Sequence, residues 1–250
     1  MAAILKSRAE ILAMKKSGRV AQKILRALGE EVREGQTPRG LDKLARALFK
    51  EHNARSCFLG HHGYPAVITV SPNDAVVHGI PSDDPFRTGD VISLDVGTSV
   101  NGWIGDNAWT FPVAAISPSA ERLLRVTRES LFEGIKQARP GARIGDIGHA
   151  IQSYVESHGY SVVRPLVGHG VGRKMWEEPQ VPNYGEPGEG PKLRAGMTIA
   201  IEPMVNAGDA EVVQLGDGWT YVTKDGSLSA HFEHTIAILS DGAEILTTLE

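Results

Sequence analysis

The sequence predicts a mixed α/β domain built from two related halves, and three observations carry that prediction. Helical and strand-like segments alternate in blocks, two helices followed by strands, and the order occurs twice. The second block repeats the first at an offset of 106 to 107 residues. Each block closes a strand segment on an acid, Asp95 in RTGDVISLD and Glu202 in RAGMTIAIE.

Taking the elements in order, Ile11, Met14, Ala21, Ile24, Leu28 and Val32 recur at helical spacing and predict a long amphipathic helix ending near Gly35. A second helix carries Leu41, Leu44, Ala45, Leu48 and Phe49 on its apolar face and stops at Asn53. β-branched content rises from Ala66, in VITV and VISLDV, while Pro and Gly punctuate Asp74 to Gly89, which predicts strands and turns. Ser117 and Pro118 form an N-cap and first-turn pair for a third helix, whose apolar face (Leu123, Leu124, Val126, Leu131, Ile135) runs to the break at Arg139, Pro140 and Gly141. Ile147, Ile151, Tyr154 and Val155 mark a fourth helix, closed by Gly159, and the Pro- and Gly-rich stretch Gln180 to Lys192 reads as a loop. Across the repeat Val20 aligns with Val126, Leu25 with Leu131, Gly35 with Gly141, Leu41 with Ile147 and His52 with His158. Chance matches between helices do not account for R-x-G-x-x-I-x-[LI]-[DE] recurring at nearly the same offset. The halves fall at approximately 10–111 and 117–250 of one domain spanning 1–250.

Composition excludes several classes of function. The 250 residues are 41% hydrophobic and 22% charged, enough to bury a sizeable core. The single cysteine, Cys57, can form neither an internal disulfide nor a Cys-based zinc site, which fits a reducing compartment, with the cytoplasm as the expectation. No apolar run approaches the roughly 18 to 20 residues that span a bilayer, so no signal peptide, anchor or membrane partner is expected. A net charge of -4 gives no reason for a nucleic-acid footprint across the surface. Lys6, Arg8, Lys15, Lys16, Arg19, Lys23 and Arg26, with the lone acid Glu10, read as a solvated helix face.

The acids are more informative. Asp95 is placed at the end of an alternating strand, and Asp106 follows after the turn-rich segment Gly97 to Gly105. If that segment closes a hairpin, the two aspartates sit side by side, where opposed Cβ atoms approach to about 5 Å. Adjacent acids without a cation repel, and a metal ion between them reverses that cost. Glu202 ends the equivalent strand of the second half, and Glu233 lies in HFEHTIAIL, whose alternation suggests a partner strand. Four converging carboxylates can hold two divalent ions about 3.5 to 4 Å apart. His169, flanked by glycines in VGHGVGR, is the natural nitrogen ligand. Singly, a strand-end acid is a cap and a His between glycines marks a turn; their joint placement points to a metal centre. The pattern H-E-x-x-H is absent, so the site is carboxylate-rich and suited to Mn or Fe, with Co or Zn also compatible.

At NDAVVHGIP (73–81), LDVGTSVNGWIGDNAWTF (94–111), GHGVGR (168–173), EEPQVPNY (177–184), IEPM (201–204) and DGWTYVTKDGSLSAHFEHT (217–235) the chain resembles type I methionine aminopeptidases along essentially its whole length. The resemblance implies the pita-bread (creatinase/aminopeptidase) fold, two pseudo-twofold-related halves with a central curved antiparallel sheet covered by helices. It implies that Asp95 chelates one ion, that Asp106 and Glu233 bridge two, and that His169 and Glu202 complete the other ion's shell. It places His78 against the scissile amide and implies hydrolysis by a metal-bridged water whose proton passes to Glu202. Phe58, His61, Tyr64, Met175 and Trp219 fall at or beside positions of the methionine pocket. The implied activity is removal of the initiator methionine from nascent polypeptides, at the ribosome, when the second residue is small; a monomer is expected.

One position departs from the pattern. Trp176 stands where the family has a second active-site histidine, at the substrate, and an indole donates one hydrogen bond but cannot titrate. That departure is what favours a weakly active or inactive peptide-binding paralogue as the alternative. A Xaa-Pro-directed aminopeptidase on the same fold is the other rival, but those relatives usually carry a large separate N-terminal domain.

Overall fold

Ser7 and Glu10 form a reciprocal cap, in which the Ser7 hydroxyl accepts from the Glu10 amide and the Glu10 carboxylate accepts from the Ser7 amide. From this cap α1 (Arg8–Glu30) runs with Ile11, Met14, Ala21, Ile24, Leu25 and Leu28 buried. The computed structural model describes residues 3–249; Met1, Ala2 and Glu250, at the ends of the expected span, lie outside it. Helix α1 stops short of Gly35. The Glu31 amide bonds to the Leu28 carbonyl at 3.0 Å in a tightened last turn, and Val32 then leaves the helix for the core. Gly35, at φ 82°, turns the loop that follows. Helix α2 (Pro38–Glu51) starts on the Thr37 cap and ends on His52, with Asn53 left-handed at φ 49°.

Strands β1 (Arg55–Ser56), β2 (Thr69–Pro72), β3 (Ala75–Val77), β4 (Val91–Val100) and β5 (Trp103–Pro112) complete the first half. The second opens with α3 (Pro118–Gln137), on its Ser117 cap, and α4 (Ile144–Ser157). It continues through β6 (Ser161–Val162), β7 (Gly168–Gly170), β8 (Glu177–Val181), β9 (Thr198–Ile201) and β10 (Met204–Asn206). Strands β11 (Val212–Gln214), β12 (Tyr221–Thr223), β13 (Ser229–His231), β14 (His234–Leu239) and β15 (Gly242–Ile245) end it.

Equivalent bonds recur across the two halves. The Gly35 amide donates to Phe86 and the Gly141 amide to Leu193, both at 3.0 Å. Asp90 donates to Arg87 as Met197 does to Arg194. Positive φ is shared by Gly35 and Gly141, by Asn53 and Gly159, and by Gly89 and Gly196, so the backbone repeats where the side chains have diverged. Each helix pair covers its own sheet. Leu25, Leu28, Leu41, Phe49, Ile92 and Leu94 pack in one core, and Leu131, Ile147, Ile151, Ile199, Ile236 and Phe232 in the other. At the junction Trp109 meets Phe232 edge-on, ring centroids 4.7 Å apart.

Strands β4 and β5 form a hairpin closed by Asn101 and Gly102 alone, both at positive φ (52° and 75°), as a tight two-residue turn requires. The strands are therefore longer than the turn-rich composition suggests, and Asp95 lies within β4 and not at its end. Gly97 and Gly105 are strand residues. At Gly105 a Cβ would fall 2.3 Å from the Gly18 amide nitrogen, so α1 crosses this hairpin in backbone contact. In the second half β9 pairs with β14 and β10 with β13 in a single register, Ile201 opposite His234 and Met204 opposite His231. The run HFEHTIAIL is thus broken at Phe232 and Glu233, because Pro203 interrupts the facing strand.

Candidate metal centre

The β4–β5 hairpin and the antiparallel pair β9–β14 meet at their acids. Asp95 faces Ala108 and Asp106 faces Gly97, so the two aspartates are diagonal neighbours and not directly opposed, with a small residue across from each. Extending the β9–β14 register by one pair sets Glu202 against Glu233. The halves are stitched at this point. The Glu233 amide donates to the Ala108 carbonyl at 2.9 Å, while Thr235 Oγ1 accepts from the Asp106 amide and donates to the Asp106 carbonyl. Thr110 Oγ1 bonds both the carbonyl and the amide of His231 in the same way.

His169 enters from β7, its Nε2 3.5 Å from Glu202 Oε1 and 3.7 Å from Asp106 Oδ2. Its Nδ1 lies 2.9 Å from the Gly170 carbonyl, which fixes the proton on Nδ1 and leaves a lone pair on Nε2. Asp106, His169 and Glu233 present atoms that all lie within 4.8 Å of one another. Among the described residues no Lys or Arg pairs with any of the four acids. Asp95 Oδ1, Asp106 Oδ1 and Glu233 Oε1 are buried without a hydrogen-bond partner.

Burial, and then mutual repulsion, hold the Asp95, Glu202 and Glu233 carboxyls well above the usual carboxylate range. Burial pushes Asp106 up to about 7, against hydrogen bonds with Glu233 and Asp95. Burial also lowers His169 and His78 to about 4, so both imidazoles are neutral at physiological pH. Buried acids crowded together with orphaned oxygens and a neutral, tautomer-fixed imidazole fit a site for divalent cations.

The centre opens into a cavity of about 230 Å³ lined by these residues with Phe58, His78, Met175 and Trp176. Phe58, His78 and Trp176 also line a second, apolar pocket of about 190 Å³ with His61, Tyr64, Thr69 and Trp219. Four of the five expected pocket residues therefore converge there. Met175 instead borders the acids, and its Cε comes within 2.8 Å of where a Cβ on Gly97 would sit. His78 follows β3 with φ 59°, a strained conformation for a residue with a side chain. The Tyr64 hydroxyl steadies it by donating to the next carbonyl, Gly79, at 2.8 Å.

Trp176 is 42% exposed at the mouth, its ring 4.3 Å from His61 and 6.1 Å from His169. The loop that presents it is anchored by Glu177, which accepts from the Arg173 and Lys174 amides and from Lys6 Nζ at 2.6 Å. Lys6 is thus buried, with its side chain 3% exposed, and not part of a solvated basic face, because it precedes α1 and turns inward. His231 was not singled out in the sequence. It is 2% exposed, its Nε2 lies 3.7 Å from Glu202 Oε2, and its spacing of two residues from Glu233 in an extended run was the available signal.

The profile of metallopeptidase family M24 matches residues 13–240. A methionine aminopeptidase of Clostridium perfringens is 50% identical over 247 residues, 99% of each chain. Methionine aminopeptidase 1 of Bacillus subtilis is 47% identical over 244 residues, 98% of each. The crystal structure of the methionine aminopeptidase from Rickettsia prowazekii superposes with a TM-score of 0.97 at 40% identity, covering 99% of this chain and 100% of that one. A prolidase from Pyrococcus furiosus shares the fold, with a TM-score of 0.79 at 23% identity over 99% of this chain and 66% of its own.

Proposed function

This chain belongs to metallopeptidase family M24, with the pita-bread fold, and on that premise we propose that it removes the initiator methionine from nascent proteins whose second residue is small. The observation that carries the reading is the cluster of four acids, three buried and Glu202 half-buried, with one neutral imidazole, opening onto an apolar pocket with room for a single side chain. Asp95, Asp106, His169, Glu202 and Glu233 would hold two divalent ions. The carboxylate-rich donors suit Mn or Fe, and Co or Zn are compatible. When bound, such ions supply Lewis acidity to the scissile carbonyl and acidify the attacking water.

The rest of the chemistry falls to the chain. Phe58, His61, Tyr64 and Trp219 take up the methionine side chain and exclude water from it. Glu202 accepts the proton of the attacking water. As the carbon–nitrogen bond breaks, that proton passes to the departing amine, and neutral His78 offers an N–H to the scissile amide. Met175 and Trp176 crowd the space beyond the scissile bond, which favours Gly, Ala or Ser as the second residue.

The test is turnover of metal-loaded protein on Met-Ala-Ser, Met-Leu-Ser and an Ala-Pro peptide. Met-Ala-Ser should be cleaved at least about 10-fold faster than either, a difference of roughly 1.4 kcal/mol in the barrier. Equal rates on Met-Ala-Ser and Met-Leu-Ser would remove the specificity claim. Preference for Ala-Pro would favour the proline-directed alternative, and no cleavage of any peptide would favour a binding protein.

A further inference from the structure

His231 Nε2 is a buried nitrogen without a hydrogen bond, an uncommon condition in a folded interior. It lies 3.7 Å from Glu202 Oε2, while Oε1 of the same carboxylate faces His169 Nε2 at 3.5 Å. Glu202 is therefore flanked by two imidazoles, one at each oxygen. Its backbone is fixed, since Asn183 Nδ2 donates to the Glu202 carbonyl at 3.0 Å. The His231 backbone is fixed as well, through Thr110 at 2.9 Å on both its amide and its carbonyl. What remains free is the rotation of the Glu202 carboxylate.

We propose that His231 is a positioning residue whose Nε2–H donates to Glu202 Oε2 and so turns Oε1 toward His169 and the metal centre. A lone pair on Nε2 would set two acceptors against each other, whereas an N–H there matches the carboxylate. The distance exceeds a hydrogen bond of about 2.9 Å by less than about 1 Å, which a small rotation of either side chain closes. His231 Nε2 meets the centre through Glu202 Oε2, the oxygen turned away from His169, so the geometry favours an orienting donor. Partners that orient a metal-binding side chain are worth about 10- to 100-fold in metal affinity or activity.

The inference rests on Glu202 being a ligand and the proton acceptor, and the test keeps the two apart. Long-range ¹H–¹⁵N correlation spectra of the wild-type protein, metal-free and zinc-loaded, read the tautomer directly. In the zinc-loaded protein Nε2–H on His231 is expected, and Nδ1–H there would overturn the proposal without any variant having to fold. In parallel, His231→Leu removes the donor and His231→Gln retains one. Cobalt titrations followed by absorbance should show affinity about 10- to 100-fold weaker in the Leu variant and largely restored in the Gln variant. On Met-Ala-Ser the Leu variant should lose turnover with KM little changed. Wild-type cobalt affinity in folded His231→Leu, or equal losses in both variants, would overturn the assignment. If the chain were not a peptidase, every variant and the wild type would be silent on peptide, yet tautomer and cobalt affinity would still decide the role of His231.

Discussion

Trp176 occupies the mouth of both cavities and stacks against His61, so it contributes apolar surface where the family pattern supplies a titratable donor. A donor that tightens on the transition state acts on turnover more than on substrate affinity. Removing one such donor from a hydrolase costs about 10²- to 10³-fold. Trp176→His should therefore raise kcat on Met-Ala-Ser by about 10²-fold, with metal affinity unchanged because the ring lies 6.1 Å from His169 and ligates nothing. Steady-state kinetics beside a metal titration make the test. A fall in kcat would mean that the indole has become part of this site by packing on the bound peptide. That four acids and His169 converge was legible in the sequence because the repeat set Asp95 and Glu202 at equivalent strand positions and Asp106 and Glu233 followed on partner strands. His231 carried only the weak signal of its spacing from Glu233, and its place beside Glu202 depends on the fold.

The loop between β7 and β8 carries Met175 and Trp176, and it is tied down from a distant part of the chain. Lys6 and Glu177, 3% and 5% exposed in their side chains, form an ion pair 2.6 Å long across 171 residues of sequence. Removing one partner of a buried pair strands the other charge, at a cost of about 3 to 5 kcal/mol. Lys6→Met should lower stability by about that amount in denaturant titration, and should raise KM on Met-Ala-Ser as the loop loses its anchor. Stability within about 0.5 kcal/mol of wild type would show that the pair is solvated after all. No periodicity could have exposed this contact. Helix positions were readable from their apolar spacing, and the ends at Ser117, Asn53 and Gly159 because those residues act locally. Strand limits were less so: Asn101–Gly102 closes a tighter hairpin than the surrounding glycines suggest, and the break at Phe232 depends on Pro203 across the sheet.

The two halves are held together where their charges are least compatible. Asp106 and Glu233 come from different halves, and the hydrogen bonds that join the sheets, through Thr235 and Ala108, run through the backbone of these same two residues. Without a cation, the junction carries the repulsion of four crowded acids; with the ions proposed above, the same acids would bind the halves to each other. Metal at 100 times its dissociation constant should stabilise the folded protein by about 2.7 kcal/mol, and chelation should reverse the gain. Asp106→Asn isolates the acid's part. The folded-state pKa of Asp106 is raised from 3.8 to about 7, so its contribution to stability is fully present below about pH 4 and is lost as pH rises through about 7. The buried histidines titrate with the opposite sign over part of that window, but they are common to both proteins and cancel in the difference. In chelator, the variant should therefore be more stable than wild type by an amount that grows between about pH 4 and 7. With metal present the order should invert, since the variant lacks a ligand and protons compete less with the metal as pH rises. Thermal unfolding across this range, with and without metal, gives all four curves, and 1 kcal/mol corresponds to about 2 to 4 °C for a chain of this size. If Asp106→Asn is no more stable than wild type in chelator at neutral pH, the junction is not under electrostatic strain and the metal is not what joins the halves.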